Sequence, residues 1–206
     1  MNAPARALLA YATHPDSPDT VLFARLIGAR LESDDLLLLG LDARELPALI
    51  GRHFPGAAIG HARVATLATP HWEFVRDLRG LLMWHDRTAA RHRQDALCLA
   101  TIIAAASLRP DHLWRDLGLS GRDDVTGMLA RHYPDLIARN VTNMRWKKFL
   151  AQEVARARRR ADLRAGLPGM RGFRFLLSGQ PITPASPFVA RPSDFLRVSS
   201  RAWRRP

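Results

Sequence analysis

Cysteine occurs once in the 206 residues, as Cys98. A single thiol excludes a disulfide framework and an all-thiolate metal site built within one chain. Long apolar runs are missing too: none approaches the ~18 residues that a bilayer span requires. The first nineteen residues, MNAPARALLAYATHPDSPD, carry one arginine and a short apolar patch. A secretory leader needs a longer apolar region and a small-residue cleavage site, so this stretch is expected to be a first helix, and the location cytoplasmic. There is no glycine-rich phosphate loop, no G-x-S-x-G elbow and no Ser/His/Asp arrangement. The eight histidines form no HExxH string and no His-x3-His pair on one helical face. His85 and His92 merely bracket a charged connection. The acidic pairs Asp34-Asp35 and Asp123-Asp124 stand at helix starts, where capping accounts for them. The expected protein is not an enzyme.

What the chain does have is hydrophobic content and basic charge. Hydrophobic residues make up 47% of it, enough for a sizeable core. The formal net charge of +12 is unevenly placed. Residues 1–152 hold 19 Lys/Arg against 16 Asp/Glu, and residues 153–206 hold 12 Arg against 3 acids. The body is close to balanced and the basicity belongs to the C-terminal part.

The apolar positions repeat with helical spacing. Ala5 to Ala12 reads as a short helix, followed by the THPDSPD loop. Asp19 or Thr20 is placed to cap a second helix with Val21, Leu22, Leu26 and Ala29 inward and Arg25 and Arg30 outward. Leu36 to Leu39 suits a strand or a short buried helix equally. Asp42 and Glu45 form a capping-box pattern ahead of Leu46, Leu49, Ile50 and Phe54, and Pro55-Gly56 stops that helix. Thr69-Pro70 opens another, with Phe74, Val75, Leu78, Leu81, Leu82 and His85 on one stripe. Asp95 opens ALCLATIIAAASL, whose small residues allow close approach and place it at the centre of the bundle. No internal repeat is present.

The stretch from His112 to Phe149 is the most distinctive. Gly118 is suited to a left-handed helix end. Ser120 can cap a further helix with Asp123 and Asp124 in its first turn and Val125, Met128 and Leu129 on one face. Pro134 interrupts, and Val141 to Arg160 can run as one long helix. The expectation is an all-α single domain of about seven helices over residues 1–152. Residues 153–206, rich in Arg, Pro and Gly, form an irregular basic C-terminal tail.

The strings HLWRDLGL (His112–Leu119) and ARNVTNMRWKKF (Ala138–Phe149) resemble the central signature of the NifQ family, the molybdenum-handling proteins of nitrogen fixation. The similarity extends from about Leu8 to Phe149 and takes in LGL at Leu39–Leu41 and RHFP at Arg52–Pro55. The resemblance implies a protein that carries molybdenum within an iron–sulfur cluster and donates it to iron–molybdenum cofactor biosynthesis. It implies the nitrogenase iron protein and the cofactor-assembly scaffold as partners.

Members of the family end in a four-cysteine cluster, C-x4-C-x2-C-x5-C, the expected thiolate ligands of such a cluster. This chain lacks those cysteines, so the family's metal ligands cannot be assigned to any residue of it. Two origins are open: a genuinely divergent tail, or a frame shift after Phe149 in the gene. Read one base early, cysteine codons become Leu, Met or Val codons, and Leu163, Leu167, Met170 and Leu176 are spaced x3, x2 and x5. His112, Trp114, Asp116, Asn140, Trp146, Lys147 and Lys148 match the signature. Core packing for the tryptophans, capping for Asp116 and a solvated face for the lysines would explain them structurally. Functionally, Arg145, Lys147 and Lys148 could attract molybdate or an acidic partner, with Asn and Lys as oxyanion donors. The second function class is nucleic-acid or anionic-partner binding through RARRRADLRAG and RAWRRP, which mix arginine with an aromatic.

Overall fold

The computed structural model describes residues 1–57 and 71–165. Nine α-helices and one 3-10 turn occur among them, with no strand. The short helix at Pro134–Arg139 is an addition to the seven or so expected from periodicity, in which Pro134 reads as an interruption. Segments of five or six residues fall below the length at which a helical period is readable.

The helix starts follow local chemistry. Helix α1 (Ala3–Leu9) is capped by the Asn2 side chain, which accepts from the Ala5 amide at 3.0 Å. Helix α2 (Pro18–Glu32) begins with proline at its first position after Ser17, earlier than a cap at Asp19 or Thr20 would place it. Both candidate caps are used elsewhere: Thr20 reaches His53, and Asp19 reaches Arg131 and His132. The four leucines form the 3-10 turn at Leu36–Leu39, closed by left-handed Gly40. Ahead of α3 (Glu45–His53) the capping box forms as expected. Asp42 Oδ1 accepts from the Glu45 amide at 2.7 Å, and Glu45 Oε2 accepts from the Asp42 amide at 3.1 Å.

Helix α4 (Trp72–His85) buries Leu78, Leu81 and Leu82. The start expected at Thr69-Pro70 lies outside the described residues. Helix α5 (Arg93–Ser107) is the centre of the bundle, packed against α3, α4 and the 3-10 turn. Its Ala100, Ile103, Ala104 and Ala106 are fully buried. Helix α6 (Leu113–Leu117) ends at Gly118, with φ of 74°. The Leu119 amide donates back to the Trp114 carbonyl at 2.8 Å, closing the last turn.

Helix α7 (Arg122–His132) is not capped by the Ser120 side chain. Asp124 instead reaches back to accept from the Ser120 amide at 2.9 Å. Pro134 opens α8 (Pro134–Arg139) as well as ending α7. The long helix expected from Val141 begins only at Trp146 (α9, Trp146–Ala165). The residues before it make a turn with Asn143 at φ 49°.

Helix α9 crosses residue 152 without a break, and two buried carboxylates fasten it. Glu153, 3% exposed, pairs with Arg139 at 2.7 Å and Arg156 at 2.5 Å. Asp77 of α4, 5% exposed, pairs with Arg76 at 3.0 Å and Arg158 at 2.5 Å. Val154 is buried in the same core. The beginning of the arginine-rich segment is therefore part of the folded body.

Two glycines set how closely helices approach. A Cβ on Gly28 would lie 2.6 Å from the Ala5 backbone nitrogen, so α1 rests directly on α2. A Cβ on Gly118 would overlap Ala29 of α2. Gly118→Ala combines that overlap with a left-handed conformation. We expect it to lower unfolding free energy by roughly 2–4 kcal/mol in a urea titration.

Candidate functional site

The signature strings fold into one neighbourhood, where the end of α6 meets the start of α9. In the turn before α9, Asn140 brackets Met144. Its Oδ1 accepts from the Met144 amide at 2.8 Å and its Nδ2 donates to the Met144 carbonyl at 3.1 Å. Arg122 of α7 donates to the Asn143 side chain and to the Met144 carbonyl, at 2.5 and 2.9 Å. Its guanidinium also sits 5.6 Å from the Trp146 ring. Trp146 is buried, stands edge-on to Phe149 and donates from Nε1 to Thr126 Oγ1 at 3.3 Å. Asn140 and Trp146 thus hold the entry of α9 against α7.

The held entry aims Lys147 inward. Lys147 Nζ pairs with Asp116 Oδ2 and donates to the Arg109 carbonyl at 2.7 Å. Arg109, in the link between α5 and α6, donates from Nη2 to the Asp116 carbonyl, and its Nε lies 3.8 Å from Asp116 Oδ1. Arg30 of α2 donates to that same carbonyl at 3.0 Å. Asp116 thereby gathers cations from α2, the α5–α6 link and α9. It does not act as the helix cap that its position in the string would allow. Burial, and then the like charge of Arg30, push Arg109 down to about 10.

The remaining signature residues divide between packing and solvent. His112 is exposed and stacks on half-buried Trp114 at 6.3 Å, with Arg115 over the Trp114 ring at 5.0 Å. Arg145 and Lys148 are exposed. The expected trio of Arg145, Lys147 and Lys148 is therefore split, with Lys147 alone turned into the cluster.

Sequence reading missed Arg30 and Arg109 and placed Arg30 and Arg25 outward. Both helix arginines turn toward α6 and α7: Arg25 pairs with Asp124 and donates to Ser120 Oγ at 3.0 Å. The signal for Arg30 was present, since it follows Leu26 and Ile27 at i+4 and i+3 and so shares their buried side.

Two further polar clusters went unanticipated. His53 lies between Thr20 Oγ1, at 3.0 Å from Nδ1, and Asp95, at 3.2 Å from Nε2. His132 lies between Thr88 Oγ1, at 3.1 Å from Nδ1, and Asp19, at 3.1 Å from Nε2. The His132 imidazole and Arg131 hold the Asp19 carboxyl below its ordinary value of 3.8, against the opposing effect of burial. Burial pushes Asp95 upward, but His53 and Arg52 outweigh it and the net shift is downward. Among the described residues no group of three or more His, Cys, Asp or Glu is placed to hold a metal ion. No described helix is long and apolar enough to cross a membrane.

Comparison with known proteins bears on the same segments. The model of the family described as NifQ matches residues 22–161, which includes α6, the turn before α9 and most of α9 itself. The chain belongs to the NifQ family. It is similar to a NifQ homolog of Sinorhizobium fredii, 36% identical over 154 residues that cover 68% of this chain and 62% of the relative. It is also similar to the NifQ protein of Azotobacter vinelandii, 40% identical over 125 residues, 56% of this chain and 64% of the relative. The NifQ protein of Rhodobacter capsulatus is 37% identical over 119 residues, 56% of this chain and 62% of the relative. The chain thus spans about three fifths of the length of these curated relatives. No solved structure matches it.

The NifQ match continues past Phe149 to residue 161, and Glu153 and Val154 are packed in register within α9. A frame shift before residue 161 does not fit the match, whereas the four proposed codon-shifted positions all follow that residue. Of the proposed codon-shifted positions, Leu163 is exposed on α9, and Leu167, Met170 and Leu176 lie outside the described residues. Thiolate ligation of a cluster by this chain alone does not fit either. Cys98 is the only thiol, it is buried in α5, and burial pushes it up to about 11.

Removing Asp116 would leave Lys147, Arg30 and Arg109 without their shared anion. We expect Asp116→Ala to cost about 2–3 kcal/mol in chemical denaturation. That is less than the ~3–5 kcal/mol of a fully enclosed pair, because 12–19% exposure of the two side chains admits some solvent screening. Asp19 and Asp95 have lowered folded-state values, so their stabilisation is full above the ordinary Asp range and is lost as pH falls through those values. Stability measured downward from about pH 5 should therefore fall, and Asp19→Asn should flatten that acid limb.

Proposed function

We propose that this chain handles molybdenum in nitrogen fixation, as a carrier that donates the metal to iron–molybdenum cofactor biosynthesis and catalyses no reaction itself. The observation that carries the reading is the NifQ match over residues 22–161. It is supported by the folding of both signature strings into one neighbourhood around Asp116 and Lys147. Membership of the family supports a nitrogen-fixation role. The identity of the cargo and of its recipients, the nitrogenase iron protein and the cofactor-assembly scaffold, is our own extension, as is a cytoplasmic setting.

The cations exposed beside this neighbourhood, Arg145 and Lys148, are available to an acidic partner surface. Binding of nucleic acid through the arginine-rich segment ranks behind. Within RARRRADLRAG, Arg156 and Arg158 are already paired with the buried Glu153 and Asp77, and among the described side chains of that string only Arg159 and Arg160 are exposed arginines without a described partner. RAWRRP lies outside the described residues.

The test is growth on dinitrogen at limiting molybdate in a diazotroph deleted for its own NifQ. Supplying this chain should restore growth toward that seen with excess molybdate, and the protein purified without oxygen should contain molybdenum by mass spectrometry. Growth no better than the deletion strain, together with metal-free protein, would overturn the reading.

A further inference from the structure

Among the described residues of the signature neighbourhood, Arg109 is the arginine with buried donors left over. Its side chain is 15% exposed. Nη2 is engaged at the Asp116 carbonyl, while Nε and Nη1 are buried and meet no acceptor among the described residues. Buried donors of a charged group are costly to leave unpaired.

The charges around Arg109 do not balance. Arg30, Arg109 and Lys147 converge on Asp116, and Asp35 adds a second negative charge within electrostatic reach of both arginines. Three cations against two carboxylates leave one positive charge in excess. Two guanidinium groups also share a single neutral acceptor, the Asp116 carbonyl. Asp116 itself cannot serve them further, because its Oδ2 is held by Lys147 and its Oδ1 lies 3.8 Å from Arg109 Nε, beyond hydrogen-bond reach.

We propose that a small tetrahedral oxyanion, of the molybdate, sulfate or phosphate kind, binds between Arg30 and Arg109 beside the Lys147–Asp116 pair. The Nε–Nη2 edge of Arg109 is turned to Asp116, so it is Nη1, on the opposite edge and without an acceptor among the described residues, that donates to the oxyanion. The bound anion neutralises the excess charge and separates the two like-charged arginines electrostatically. The close approach of α6 to α2 at Gly118, where Ala29 fills the place of a side chain, is what brings Arg30 to the same point. As an entry point for molybdate the site rests on the molybdenum-handling reading; as an oxyanion site it stands on the charge and donor geometry alone.

Equilibrium dialysis of the full chain against labelled molybdate, sulfate and phosphate tests it. One site per chain should be found for at least one of the three. Arg109→Gln should weaken that binding by about tenfold or more, the scale of a lost charge-assisted hydrogen bond. Arg91→Gln, exposed and remote from Asp116, should leave it unchanged. The wild-type chain supplies a second readout that needs no variant. The ¹H–¹⁵Nε resonance of Arg109, assigned by its loss in Arg109→Lys, should move on anion titration. Absence of binding by all three anions, or binding with an unmoved Arg109 resonance, overturns the site. If dialysis fails while the chain still supports growth at limiting molybdate, the site falls and the carrier reading stands. Anion binding at Arg109 without growth support leaves the site standing and removes the carrier reading.

Discussion

Asp116 is the constraint on which the signature region depends. A single carboxylate and its own carbonyl draw together Arg30 from α2, Arg109 from the α5–α6 link and Lys147 from α9. These elements are distant in sequence, and their meeting fixes where α9 enters the bundle. The Asn140 bracket and the Arg122–Trp146 contact secure the same entry from the α7 side. With the entry fixed, the remainder of α9 follows as a rigid rod, so a local charge cluster sets the direction of the longest helix.

The same logic recurs further along α9. Glu153 and Asp77 are buried carboxylates, and arginines from two elements neutralise each of them. Buried ions contribute little net stability over apolar packing of equal volume, but they penalise every arrangement that separates the partners. In a bundle whose central helix carries alanine at five of its fifteen positions, such pairs add to the register that the larger side chains there provide.

Much of the fold was legible because it is written in periodicity and caps. The Asp42–Glu45 box, the Gly118 helix end and the central alanine helix all depend on residues within one turn of one another. What escaped depends on partners far away in sequence. Asp19 and Thr20 read as caps because both residue types favour that role, yet each is claimed by a histidine more than thirty residues distant. Val141 to Arg145 reads as helical, but the Asn140 side chain offers the backbone a competing turn. At the candidate site, Asp116 and Lys147 were visible as members of an unusual string. Arg109 was not, since an arginine just past a buried helix has no local pattern to mark it.

Cys98 sits on the buried central helix, α5. Its sulfur is buried among α5 neighbours, with Arg52 3.9 Å away and its proton held tightly. A thiol so placed reacts with alkylating or disulfide reagents only through openings of the central helix, at a pace that tracks the population of the opened form. The lone sulfhydryl of the described body is thereby a built-in chronometer of its breathing, and handling in air should leave it unmodified for as long as the bundle stays shut.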